Sequence, residues 1–270
     1  MDIKQIPNTN DCRDGTNTPS RLQYIKDCLD AAGLPAEICK YRRAGTDYHN
    51  LYCYIPGHTK DFRDYRNKIL ITAHWDTVRP GSDNCLDNTA SLYNLYNIAV
   101  KLHTRKAELK SSVILAWTDA EEECSTYLNG AVEAAIAYDP RYHLDLELTA
   151  GGKNIIVYPQ GQIHVPSDYL LNPMPLNNAS MVWSAKSITF LANLRGAACV
   201  TLVDDKDLVQ LQASQYCERW AQCHRGTDTF DNWLNLQEMD GFTNNIVDWV
   251  LLLNTPMQGR MYEKVVFGDE

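Results

Sequence analysis

Apolar and polar residues follow two rhythms along this chain. Between Pro19 and Gly33, Leu22, Ile25, Cys28, Leu29 and Ala32 recur at three- and four-residue steps, which is one face of a helix. Pro19 and Ser20 open it, and Gly33 stands where the left-handed residue after a helix end belongs. The stretch NLYCYIPG then reads as a short strand stopped by a Pro-Gly turn, and NKILITAHWD as an apolar strand. From there the rhythms alternate. LDNTASLYNLYNIAVKLH is a long amphipathic helix; SSVILAWT, YHLDLELT, NIIVYP and AACVTLV are strands. In the closing helix, within QEMDGFTNNIVDWVLLLN, Met239, Phe242, Ile246, Trp249, Val250 and Leu253 again fall at helical steps. Strands that are nearly continuous apolar runs, separated by amphipathic helices, predict an α/β sandwich whose sheet is buried on both faces and is mixed or mostly parallel. Ligands of such sheets gather outside the carboxyl ends of the strands, so polar residues there are the candidates for chemistry.

The 270 residues, 44% of them hydrophobic, suffice for a substantial core, and no repeat or Gly/Ser linker divides them, so residues 1–270 read as one domain. The 34 acidic against 25 basic residues leave a net charge of −9, which repels a phosphate backbone and makes nucleic acid an unexpected partner. No apolar stretch reaches the roughly 18 residues that span a bilayer, so no membrane partner is expected. The start, MDIKQIPNTNDCRDG, has no apolar signal core. Nine cysteines, an odd number without a CxxC pair, read as reduced thiols. A cytoplasmic protein is expected; the oligomeric state is not written in these features.

Chemistry concentrates at the strand ends. KILITA runs into His74, Trp75 and Asp76; two residues apart in extended chain, Asp76 can accept one ring N–H of His74 and leave the other nitrogen for a metal, although such a pair is commonly only a structural hydrogen bond. Asp87 and Asn88 stand at the start of the long helix, where either serves as a cap, but a carboxylate there can also offer one oxygen to each of two cations. SVILAWT delivers Asp119, Glu121, Glu122 and Glu123. An acidic run is usually a solvated turn; placed directly after a buried strand, one carboxylate can bind a metal while its neighbour acts as general base. In LDLELT, Asp145 and Glu147 share one face of an otherwise apolar strand, which costs several kcal/mol unless they are paired, bound to metal, or on a solvated edge. His224 lies in a loop before the last helix, with Asp228 four residues on, able to orient it or cap the following segment.

The order His-x-Asp, Asp, Glu-Glu, Asp or Glu, then His is carried by TAHWDTV, LDNTAS, TDAEEE, LDLELTAGG and CHRGTDTFDN, spanning about residues 19–254. It resembles the di-zinc aminopeptidase family that includes bacterial and vacuolar aminopeptidases, glutamate carboxypeptidase II and the glutaminyl cyclases. The resemblance implies a three-layer α/β/α sandwich of the zinc-exopeptidase, phosphorylase/hydrolase-like type. It implies two Zn²⁺ ions held by His74, Asp87, Glu122, Glu147 and His224, with Asp87 bridging, Asp76 holding His74, and Glu121 as general base. Asp145 remains the alternative to Glu147. The activity implied is hydrolysis of a peptide or small amide, most simply release of an N-terminal residue. Glu123, Cys124, Ser125, Thr126 and Tyr127 replace the family's glycine-rich turn, which reshapes the pocket; Tyr127, Trp183 and Trp220 are candidate lining residues. A one-metal glutaminyl cyclase, a carboxypeptidase or deacylase, and a non-catalytic peptide-binding relative are the competing expectations.

Overall fold

The computed structural model describes residues 1–9, 18–58, 68–123, 128–140, 142–159, 197–212 and 222–253. Helix α1 (Ser20–Ala31) buries the stripe expected of it, Leu22, Ile25 and Leu29 being fully enclosed. Gly33 takes φ +74 and lets the Leu34 amide donate to the Leu29 carbonyl at 2.9 Å, closing the helix end. A hairpin of β1 (Ala36–Arg43) and β2 (Thr46–Ile55) follows, turning at Ala44 and Gly45. The apolar pattern marks only the later half of β2 and passes over β1, because β1 is an edge strand whose charged side chains stay in solvent.

The centre of the sheet is built from the apolar runs. Every residue of β3 (Ile69–His74) and β4 (Val113–Thr118) is buried, as strands covered on both faces require. They are joined by α2 (Ala90–Thr104), and α3 (Gly130–Tyr138) leads from β4 to β5 (Tyr142–Leu146). β6 (Asn154–Pro159), β7 (Ala197–Val203), α4 (Asp205–Gln212), α5 (Phe230–Trp233) and α6 (Leu236–Leu253) complete the described elements.

The sheet order is β1-β2-β4-β3-β5-β7-β6, with β4, β3, β5 and β7 parallel and β1, β2 and β6 antiparallel to their neighbours. The step from β3 to β4 through α2 runs one way across the sheet; the step from β4 through α3 to β5 passes back over β3. Right-handed crossovers in opposite directions put α2 and α3 on opposite faces. α1 and α6 pack with α2, which completes the three layers expected. Reversal at β3 opens a crevice beyond the carboxyl ends of β3, β4 and β5, the place where such sheets bind ligands. Among the described residues, no helix is long and apolar enough to cross a membrane.

Two local expectations are corrected here. β5 stops at Leu146, since Leu148 takes φ +54, so Glu147 stands beyond the strand and not on its face beside Asp145. β5 is also interior, between β3 and β7, which removes the solvated edge as an explanation for its acids. Neither Asp87 nor Asn88 caps α2: residues Cys85–Thr89 form one wide turn ahead of it, with both in non-helical conformations, and Thr89 at the cap makes no side-chain cap bond.

Candidate metal centre

β3 ends at His74, opposite Thr118 of β4, and the Trp75 amide still donates 2.7 Å to the Thr118 carbonyl. Asp76 is therefore delivered, fully buried, to the base of the turn that follows β4. It accepts the amide of Glu121 at 3.3 Å and that of Glu122 at 3.1 Å. The turn is fixed from the other side by Asp119, whose carboxylate accepts the amides of His49 and Ala120 at 2.9 and 2.8 Å. Ala120 takes φ +61, a left-handed conformation that costs an alanine about 1 kcal/mol and swings the two glutamates toward Asp76.

His74 is nearly enclosed. Its Nδ1 donates to the Asp76 carbonyl at 3.1 Å and lies 3.4 Å from the Asp76 carboxylate, which leaves Nε2 facing Asp87 Oδ1 at 3.0 Å and Glu147 Oε2 at 3.5 Å. His224, held at φ +63 in its loop, reaches Asp87 from the opposite side, with Nε2 2.9 Å from Oδ2 and 3.3 Å from Glu122 Oε2. Asp87 thus presents one oxygen to each imidazole. Glu147 closes the His74 side and Glu122 the His224 side. The seven residues to which the resemblance gives roles, His74, Asp76, Asp87, Glu121, Glu122, Glu147 and His224, converge in this crevice. Asp145 does not: its carboxylate accepts the Thr72 hydroxyl, one strand below the site. Tyr127, Trp183 and Trp220 lie outside the described residues.

Five carboxyl groups share the crevice with two imidazoles, and the electrostatics follow from that imbalance. Burial would raise Asp87, but the hydrogen bonds from His224 and His74 overrule it and hold its carboxyl far below the usual range. The three glutamates lose that contest. Burial pushes Glu147 up to about 8, and it raises Glu122 and, well above its ordinary value, Glu121, with neighbouring carboxylates adding to the rise. Burial opposes charging His74, yet Glu147, Asp76 and Asp87 together raise it well above an ordinary histidine; Asp87 and Glu122 raise His224 to about 10. Protons on the rings are doing the neutralising that cations could do.

That imbalance is the test of whether a metal fits. One nitrogen of His74 and one oxygen each from Asp87 and Glu122 lie within 4.8 Å of one another, and Glu122 Oε1 is buried with no hydrogen-bond partner. Imidazole with carboxylate is a donor set for zinc, and the residues present fit a divalent cation.

Several residues to which the sequence gave a different role or none hold this set in place. Asn88 Nδ2 donates 3.0 Å to the Leu146 carbonyl, tying the Asp87 turn to the end of β5. Asp228 neither orients His224 nor caps a helix; its carboxylate accepts the amides of Leu86 at 2.6 Å and Asp87 at 3.1 Å. Burial raises it to about 6 against those two donors. Arg21, fully buried in the first turn of α1, lies beside the segment that carries His74 and Asp76. No signal in the sequence marks these roles, since each depends on contacts between segments far apart in the chain.

With the geometry in hand, comparison places the chain among known proteins. Residues 50–168 match the sequence model of Peptidase family M28. The matched segment carries every residue of the centre except His224. A search of curated proteins gives no match. Among solved structures, the fold is similar to the LapA aminopeptidase of Legionella pneumophila, with 14% identity and a TM-score of 0.68 over 94% of this chain and 69% of that one. It is similar also to BSAP, a zinc aminopeptidase from Bacillus subtilis (12% identity, TM-score 0.55, 80% of this chain and 52% of that one). The glutaminyl cyclase of Fimbriiglobus ruber matches at 16% identity and TM-score 0.59, over 93% of this chain and 92% of that one. The M28 match and these structures bear out the resemblance and the α/β fold read from the sequence.

Proposed function

We propose that this chain is a zinc-dependent peptide hydrolase of the aminopeptidase type. The observation that carries the reading is the position of Asp87, with Oδ1 3.0 Å from His74 and Oδ2 2.9 Å from His224, flanked by Glu147 and Glu122. The M28 match over residues 50–168 and the similarity to aminopeptidase structures support it. His74, Asp87 and Glu147 would hold one zinc, and Asp87, Glu122 and His224 a second; when bound, the pair would polarise the scissile carbonyl and lower the pKa of the attacking water. Asp76 keeps the Nδ1 proton of His74 turned away from the centre, so that Nε2 points inward. Through the amides of Glu121 and Glu122, Asp76 also sets where both glutamates stand.

Glu121 is the general base of this reading. Its carboxyl is raised well above its ordinary value by burial, with Glu147, Asp87 and Asp76 adding to the rise, which makes it a better proton acceptor than an exposed glutamate. It accepts the proton of the attacking water and passes it to the leaving amine nitrogen. The protein is tested by elemental analysis after exhaustive dialysis, with assays on N-terminal amino-acid anilides and short peptides. Two equivalents of zinc are expected, with hydrolysis lost on chelation and restored by zinc. Only traces of zinc, manganese or cobalt, and no rise in melting temperature when they are added, would overturn the reading. Product analysis on a peptide beginning with glutamine separates hydrolysis from cyclisation.

A further inference from the structure

Arg21 is the one fully enclosed arginine or lysine among the described residues, and it is enclosed beside the segment that carries His74 and Asp76. Its Nη1 donates 2.7 Å to the carbonyl of Trp75, the residue between His74 and Asp76. Its Nη2 donates to the hydroxyl of Thr89, two residues after Asp87, and that hydroxyl in turn donates 2.8 Å to the Asp83 carbonyl. No carboxylate among the described residues lies within ion-pair distance of the guanidinium, and Nε has no partner. A buried charge without a contact counter-ion is costly. What offsets that cost is the field of the site: burial lowers Arg21 to about 10, Asp76 and Asp87 oppose the fall, and the group stays charged at neutral pH. A residue serving only to fill space between α1 and the sheet would be apolar here, as its neighbours Leu22 and Ile25 are.

We infer that Arg21 is a positioning residue, a fork that ties the end of β3 to the turn carrying Asp87 and so sets the separation of His74 and Asp76 from Asp87. A guanidinium spans two acceptors in a fixed plane; an ammonium on the same backbone position satisfies one at a time. Trp75 follows the last residue of β3 and Thr89 ends the turn that carries Asp87, and the fork joins the two segments. The inference rests on the metal-centre reading, because its consequence is the geometry of bound metal.

Cobalt(II) serves as the probe, since its visible absorption reports coordination geometry independently of turnover. Arg21→Lys, Thr89→Val and Thr89→Ser are compared with wild type by cobalt spectrum, by cobalt affinity against a competing chelator, and by melting of the chelated proteins. Arg21→Lys is expected to shift the absorption bands and weaken affinity about 10–100-fold, the usual consequence of losing a group that orients ligands. Thr89→Val keeps the arginine and removes one acceptor, and is expected to move spectrum and affinity in the same direction; Thr89→Ser, which restores the hydroxyl, returns both to wild-type values. If Arg21→Lys does not fold, Thr89→Val decides. A wild-type spectrum and affinity in either folded variant would overturn the inference while leaving the metal reading intact. Failure of the wild type to take up cobalt would overturn both.

Discussion

Asp87 divides its two oxygens between two histidines, and everything near it is arranged by the shortage of positive charge. Burial raises Glu121, Glu122 and Glu147, with neighbouring carboxylates adding to the rise, whereas the hydrogen bonds of both histidines hold Asp87 low. Neighbouring glutamates are thereby given different work. Glu122 faces His224 at 3.3 Å, whereas the pull on Glu121 is the general field of the crevice. Glu121→Gln keeps the size and one oxygen but cannot accept a proton. It is expected to retain wild-type metal content while kcat falls about 10²–10⁴-fold. Glu122→Gln is expected to lose metal and activity together. Metal analysis and kcat on an anilide substrate, measured side by side, check the pair; near-normal kcat in Glu121→Gln would remove it as the base.

Loops and strand ends act as units in placing these side chains. The segment bearing His224 is laced to the segment leading into Asp87 by four hydrogen bonds: Arg79 Nη1 to the His224 carbonyl at 3.1 Å, the Phe230 amide to Asp83 at 2.9 Å, and the Leu86 and Asp87 amides to Asp228. The turn after β4 is seated differently, against the start of α3. The amide of Gly130 donates 2.7 Å to the Asp119 carbonyl, and a Cβ on Gly130 would stand 2.2 Å from Asn50 Oδ1 and 2.7 Å from the Asp119 nitrogen. Only glycine allows that approach. Gly130→Ala is expected to push the turn aside, costing about 1–3 kcal/mol of stability. It should also weaken zinc binding, since Glu121 and Glu122 ride on the same turn. Urea unfolding of the chelated protein and a zinc competition titration check both effects; an unchanged urea midpoint would mean that α3 yields instead of the turn.

Beneath the site, the interior of the sheet carries a second polar group with consequences for the whole protein. His143 on β5 is buried; its Nε2 lies 2.8 Å from the Thr72 hydroxyl and its Nδ1 has no partner. Burial lowers it to about 3. A histidine with a depressed value in the folded state binds its proton more readily when unfolded. Its contribution is therefore complete above the unfolded value of about 6.5 and is lost as pH falls toward 3, at about 1.4 kcal/mol per pH unit. His143→Gln removes the titration. Measured by urea denaturation in the presence of chelator, the stability difference between wild type and variant is expected to move by that slope, against wild type, between pH 6.5 and 4. A difference independent of pH would show that His143 binds its proton in the folded protein as readily as in the unfolded chain.

Much of this was legible in the linear order of residues. The apolar runs of β3 and β4 marked the buried centre, and His74, Asp87, Glu121, Glu122 and His224 stood out because each follows a strand or precedes a helix, where α/β sheets bind ligands. Local periodicity carries that information, since whether a residue lies on a strand or just past its end depends on its near neighbours. The choice between Glu147 and Asp145 was not legible. It turned on where β5 stops, at Leu146, two residues before Leu148 takes φ +54, and on the Thr72 hydroxyl of the neighbouring strand donating to Asp145. The roles of Arg21, Asn88 and Asp228 were not legible for the same reason: their partners lie 54, 58 and about 140 residues away. Residue type and spacing record what a side chain can bond, but a buried polar group bonds whatever the folded chain brings within about 3 Å of it, and that is settled by packing between distant segments.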